Sequence, residues 1–265
     1  AGPHAIDGAP EALDEVRRSG RAVVYVTNNA SRPPSAVAEH ISALGAPTRV
    51  EHVVSSAQAA ATLLAERLRP SARVLVTGSS ALADEIRGVG LVPVDSQTDD
   101  PVAVVQGFDP EIGWSDLAEA AYTLADASVL WIATNTDGSI PRERGIAPGN
   151  GTLVDAVARA TGRTPEVAGK PEAPIFRTGA QRLGAQRPLV IGDRLDTDIL
   201  GGNRAGFATA LVLTGVDTVR TALGAITDER PDHLIADLTG LFAPEAEIAV
   251  EESDGASIAR CGAAQ

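Results

Sequence analysis

Two carboxylates stand where an apolar run gives way to a helical pattern. In PLVIGDRLDTD, residues 188–198, Leu189, Val190 and Ile191 are unbroken and apolar. That pattern reads as a strand buried on both faces of a parallel sheet. Gly192 allows the chain to turn sharply. Asp193 then stands at the strand tip, and Asp198 opens the pattern TDILGGNRAG. Ligands in open α/β sheets bind beyond the carboxyl ends of the strands. Two acids placed there suit a hard cation such as Mg²⁺, which takes carboxylate and water oxygens. The same residues also read as a strand, a turn and an Asp N-cap.

Lys170, in AGKP, is the only lysine in the chain; every other basic side chain counted with it is arginine. A chain that uses Arg for its general positive charge keeps Lys where a compact, mobile ammonium is needed, or as a residual surface charge. Pro171 ends any local helix and restrains the loop. A third set lies in VTNNAS, residues 26–31, where Val23 to Val26 reads as a second buried strand ending in Thr27, Asn28 and Asn29. Hydroxyl and amide donors at a strand tip suit a phosphate or carboxylate oxygen. The alternative is a plain turn, with Asn in the left-handed region and Ser31 capping a helix from Pro34 to Leu44.

The elements that must position these residues alternate along the chain. EALDEVRRSG reads as an amphipathic helix stopped at Gly20. A strand at Glu51–Ser56 and a helix at Ala57–Leu68 follow VTNNAS. A second alternation then begins: RVLVTG, a helix at Ala81–Arg87, LVPV, VAVVQGFD, a helix at Asp116–Ala127 and SVLWIATN. TNTDGSIPRERGIAPGNG is a long polar loop rich in Gly and Pro, and loops of that length in compact domains are usually functional or mobile. Within it, Asn135 and Asp137 are residue types that shape turns. Arg144 is placed to contact substrate, to latch the loop or to lie solvated on its surface. Helices at Thr152–Ala160 and Glu172–Leu183, then ATALVLTG and HLIA as strands, complete the pattern. The expected fold is one α/β domain interrupted by another: a discontinuous core of residues 1–57 and 167–242, an insert at 58–166, and a segment at 243–265. That last segment is expected as a hairpin turning at Asp254–Gly255 or as a flexible tail.

Composition narrows the function classes. Aromatics make up 3% of the chain, too few for stacking platforms on single-stranded nucleic acid. A net charge of −13 opposes nucleic acid and anionic membrane as partners. One cysteine, Cys261, leaves no internal disulfide framework and fits a reducing cytoplasm. No apolar run is long enough to span a bilayer. VLVTGSSALADE opens like a nucleotide-binding turn but lacks the later glycines of GxGxxG.

VTNNAS, GKP (169–171) and GDRLDTDI (192–199) resemble the second, third and fourth motifs of the haloacid dehalogenase superfamily of phosphatases. ATNTDG (133–138) and PGNGTL (148–153) resemble the cap of its nitrophenylphosphatase-like branch. The resemblance implies a Rossmann-like core with a parallel sheet plus an inserted α/β cap. It implies a Mg²⁺-dependent phosphatase of small phosphate esters, glycerol 3-phosphate foremost, working through an aspartyl-phosphate. By position, Thr27, Asn28 and Asn29 would bind phosphoryl oxygens, and Lys170 would neutralise nucleophile and phosphate. Asp193 and Asp198 would serve the metal, and Asn135, Asp137 and Arg144 the substrate from the cap. The family's first motif, Asp-x-Asp-Gly, which supplies nucleophile and general acid, is expected just before Ala1. The alternative is a non-catalytic phosphate-ester sensor or assembly domain. No nucleic-acid or membrane partner is expected, and a homodimer is left open.

Overall fold

The computed structural model describes residues 4–142, 144–244, 248–253 and 256–261. The first elements are α1 (Ala9–Arg18), β1 (Tyr25–Thr27), α2 (Pro34–Ala43), β2 (Val53–Ser55) and α3 (Ser56–Ala65). α3 is fixed at its start by a capping box, in which Ser55 and Gln58 each bond the other's backbone N–H. Its face of small residues, Ala57, Ala59, Ala60 and Ala61, is fully buried. Then follow β3 (Arg73–Thr77), α4 (Ser80–Gly88), β4 (Val92–Val94), β5 (Ala103–Gln106), α5 (Trp114–Thr123) and β6 (Leu130–Ala133). An antiparallel hairpin, β7 (Ser139–Arg142) and β8 (Gly145–Pro148), leads into α6 (Asn150–Thr161) and β9 (Glu166–Val167). The last part holds α7 (Ala173–Leu183), β10 (Leu189–Gly192), α8 (Leu200–Ala205), β11 (Ala208–Val212), α9 (Val219–Leu223) and β12 (His233–Ile235).

Apart from the two antiparallel hairpins, the strands sort into parallel sheets, as the alternating pattern requires. The largest has the order β4-β3-β5-β6-β9. β1 pairs with β2, and β10, β11 and β12 form a three-stranded sheet in that order. One apolar cluster runs through both halves of the chain. Val54, the alanines of α3, Leu82 and Ile86 of α4, Val74, Val105 and Ile132 from the large sheet, and Ile175 and Phe176 of α7 all belong to it. A second cluster, with Leu75, Val104 and Trp131, fills the other face of the large sheet under α5 and α6. Among the described residues no helix is long and apolar enough to cross a membrane.

Several expectations are corrected. β10 is not buried on both faces: Leu189 and Ile191 are 42% and 36% exposed. Only the Val190 face is covered, by α8, where a Cβ on Gly202 would lie 3.1 Å from the Val190 Cβ. Among the described residues β10 stands at the edge of its sheet, and an unbroken apolar run does not distinguish one covered face from two. The strand read at Val23–Val26 is β1, shifted to Tyr25–Thr27 and half-buried. The long polar loop is folded, since it contains the β7–β8 hairpin. Ser31 caps nothing: the N-cap of α2 is Pro33. Neither Asn28 nor Asn29 has a positive φ. Asp198 is no N-cap and lies inside a π-helical turn, Leu195–Ile199, ahead of α8. At the C-terminus β13 (Ile248–Ser253) pairs antiparallel with β14 (Ala256–Cys261), the hairpin alternative; the turn expected at Asp254–Gly255 lies outside the described residues.

Candidate active site

Asn28 follows directly on β1 and is the centre of the constellation. Its Nδ2 donates to the Lys170 carbonyl at 3.0 Å and to the Asp137 carboxylate at 3.1 and 3.3 Å. Its Oδ1 accepts from the Lys170 N–H at 2.7 Å. Its own carbonyl accepts from Ser56 Oγ at 2.7 Å and from Asn135 Nδ2 at 2.8 Å. Six hydrogen bonds thus tie one residue to α3, to the loop after β6 and to the loop before α7.

That close approach needs a glycine beside Lys170. A Cβ on Gly169 would lie 2.4 Å from the Thr134 carbonyl oxygen and 2.6 Å from Asn28 Oδ1. The Lys170–Pro171 peptide is cis. Lys170 Nζ donates to Asp198 Oδ1 at 2.8 Å, with side-chain exposures of 17% and 11%. Asp198 in turn is pressed against Gly192, where a Cβ would lie 2.3 Å from its Cγ. Asp193, next along, accepts from the Val216 N–H through Oδ2 at 2.9 Å. Gly215 leaves it room, since a Cβ there would lie 2.0 Å from that oxygen.

Thr27 Oγ1 accepts from the Asn29 N–H at 3.2 Å, and Asn29 Oδ1 accepts from the N–H and the hydroxyl of Ser31. Asn29 therefore shapes the turn, while the Thr27 hydroxyl keeps its proton to donate. Asn135, almost fully buried, bonds the Asn28 carbonyl and accepts the Asp137 N–H. Burial pushes the Asp137 carboxyl above its ordinary range, against the Asn28 bond and the Lys170 charge. Arg144 is not brought to this group; it is exposed beside the hairpin turn.

Sequence reasoning passed over three contributors. Ser56 holds the Asn28 carbonyl. Gly169 gives the space, and a glycine immediately before the lone lysine was its one signal. Arg194, inside GDRLDTD, forms a two-point pair with Asp196 at 2.9 and 2.6 Å. That bond holds the Arg194 guanidinium above and the Asp196 carboxyl below their usual values, and Arg194 also feels Asp193 and Asp198.

The donor set fits Mg²⁺. Asp193 and Asp198 each keep one carboxylate oxygen outside the bonds just described, and Mg²⁺ takes one or two carboxylates and completes its shell with water. Among the described residues no group of three or more His, Cys, Asp or Glu side chains converges, so carboxylate and solvent are the available ligands. With the Lys170 ammonium on Asp198, the arrangement can neutralise a dianionic group.

The family profile for haloacid dehalogenase-like hydrolases matches residues 1–92, and a HAD-hydrolase-like profile matches residues 167–241. A D-glycerol 3-phosphate phosphatase of Mycobacterium tuberculosis is 46% identical over 94% of this chain and 69% of its own length. A glycerol-3-phosphate phosphatase of Gallus gallus is 38% identical over 84% and 78%. Among solved structures, the M. tuberculosis glycerol phosphate phosphatase in complex with magnesium superposes with a TM-score of 0.88 at 43% identity, covering 99% of this chain and 81% of that one. A p-nitrophenyl phosphatase from Archaeoglobus fulgidus gives 0.80 at 30% identity, over 89% and 91%. Ordered motifs, parallel α/β sheets and relatives matched over most of their lengths agree: the chain belongs to the haloacid dehalogenase-like hydrolases.

Proposed function

We propose that this protein is a Mg²⁺-dependent phosphatase of small phosphate monoesters, with glycerol 3-phosphate its foremost substrate. The observation that carries the reading is the Lys170 ammonium, held 2.8 Å from Asp198, with the Lys170 main chain bonded to Asn28, the residue after Thr27. Phosphoryl transfer asks for in-line positioning and for neutralised charge on the equatorial oxygens. The Thr27 hydroxyl and the Asn28 main-chain N–H hold those oxygens, and Lys170 neutralises both the phosphoryl group and an attacking carboxylate. Asp193 and Asp198 hold Mg²⁺, which when bound screens the repulsion between carboxylate and phosphate. The family's aspartate nucleophile forms an acyl phosphate as the ester P–O bond breaks. The departing alkoxide takes a proton from the family's acid, and water then releases phosphate. In this reading residues 58–166 form a cap over a core of 1–57 and 167–242. The loop from Asn135 to Gly151 selects the substrate, and the names of the most similar relatives support glycerol 3-phosphate.

The test is steady-state hydrolysis of glycerol 3-phosphate, phosphoglycolate and pyridoxal phosphate, with Mg²⁺ and with EDTA. Glycerol 3-phosphate should show the highest kcat/KM, and EDTA should abolish all three activities. Asp193→Asn should keep the fold and weaken metal binding by about tenfold to hundredfold. Activity indifferent to EDTA, or an Asp193→Asn variant with the parental Mg²⁺ titration, overturns the metal assignment.

A further inference from the structure

We propose that the Asn28 side chain is a positioning residue and not a phosphate ligand: it fixes the Lys170 main chain and holds the Asp137 loop against it. The proposal rests on the phosphatase reading for what Lys170 does.

A side-chain amide offers two N–H donors and one carbonyl oxygen. All are spent inside the protein. The oxygen accepts the Lys170 N–H, one donor reaches the Lys170 carbonyl, and the other serves the Asp137 carboxylate. The Lys170 peptide groups are gripped at both N–H and C=O, in the manner of a neighbouring strand. The amide's orientation is dictated by its partners. Turned over, its oxygen would face the Lys170 carbonyl and the Asp137 carboxylate, and its nitrogen would face an N–H. No donor remains to reach a phosphoryl oxygen, whereas the Thr27 hydroxyl and the Asn28 main-chain N–H remain available. The anchor is itself rigid, because the Asn28 carbonyl is held by Ser56 and Asn135. The fit is tight, because any side chain at residue 169 would strike Asn28 Oδ1. Misplacing a charge by about 1 Å can cost on the order of a hundredfold in rate, so a clamp on the Lys170 backbone bears directly on turnover. Asp137 belongs to the same device: its carboxylate ties the loop after β6 to the Lys170 clamp through Asn28.

The lone lysine supplies a readout that does not depend on catalysis. Lysine labelled with ¹³C at Cε and ¹⁵N at Nζ gives one side-chain signal, that of Lys170. Asn28→Ala and Asn28→Asp are compared with the parent in three measurements: that signal, the Kd of inorganic phosphate by calorimetry with Mg²⁺, and kcat on glycerol 3-phosphate. The positioning role requires the lysine signal to shift or broaden. It requires kcat to fall about tenfold or more, with phosphate Kd rising by a smaller factor, since Lys170 also meets the phosphoryl group. Asn28→Asp should fall further, since it sets a carboxylate against the Lys170 carbonyl and Asp137. Adding Asp137→Asn to it should recover part of the loss by restoring a carboxylate–amide pair. A lysine signal identical to the parent's overturns the proposal, and so does a kcat within about twofold of the parent's. A parent that hydrolyses no phosphate ester overturns the phosphatase reading instead, and the lysine signal still decides the role of Asn28. If one variant fails to fold by circular dichroism, the other carries the comparison.

Discussion

At the scale of single residues, Lys170 is the sharpest test. Its ammonium meets Asp198 in a largely covered space. A guanidinium is planar and spreads its charge over a fork, so it cannot place that charge at the same point. Lys170→Arg is expected to lose at least about tenfold in kcat/KM while keeping the parental circular dichroism, measured by steady-state kinetics. Asp137 gives a pH prediction. Its folded pKa lies above its ordinary 3.8, with burial the largest cause, the Asn28 bond, Lys170 and Arg194 opposing, and Asp196 assisting. Between those two values the folded chain binds more protons than the unfolded one, so this group costs stability as pH rises through that window. The cost is complete above the folded value and absent below the ordinary one. Asp137→Asn removes the titration and keeps an oxygen for Asn28. Its Tm relative to the parent should therefore be higher at about pH 7.5 than at about pH 3.5. A Tm difference that is the same at both pH values contradicts this. Lys170 was legible in the sequence because it is the single lysine, and Thr27 because it ends an apolar run. That the Asn28 amide would turn onto Lys170 was not legible, because the partners lie 142 residues apart. Arg144 was read as a substrate contact, a latch or a solvated loop side chain; it is exposed, and the length of a loop does not say which of its side chains point inward.

At the scale of elements, the tip of β10 shows how a strand end becomes a site. Gly192 is required there because Asp198 folds back over it, the π-helical turn bringing the carboxylate against the strand. Gly192→Ala would set a methyl 2.3 Å from Asp198 Cβ and Cγ. The expected cost is about 1–3 kcal/mol in urea unfolding, and the same shift should part Asp198 from Lys170 and lower kcat. Parental stability and kcat together would show that Asp198 moves aside freely. The order and type of the main helices and parallel strands were legible from apolar periodicity and glycine stops. The β7–β8 hairpin was hidden by composition: SIPR and GIAP carry prolines that read as loop. A two-stranded ribbon consists only of edges, where a missing N–H removes no necessary ladder bond, so proline is tolerated in it. The one-sided exposure of β10 was hidden because no local pattern reports which helices cover a face.

At the scale of the whole molecule, the charge of −13 leaves a short list of cations to attract an anionic ester, and Lys170 and Arg194 are near the strand tips. Aromatic side chains are few, so the interior is built from alanine and branched aliphatics, and small side chains bring helices close. α3 is the clearest case, its alanines packed into the cluster that also takes Val74, Val105 and Ile132 of the large sheet and Ile175 and Phe176 of α7. That shared interior has a calorimetric consequence. The two halves of the chain cannot expose their apolar surfaces separately, because opening one removes the packing of the other. The protein should melt as a single cooperative unit, with calorimetric and van't Hoff enthalpies in agreement. Two resolved transitions in differential scanning calorimetry would show instead that each half keeps its own interior.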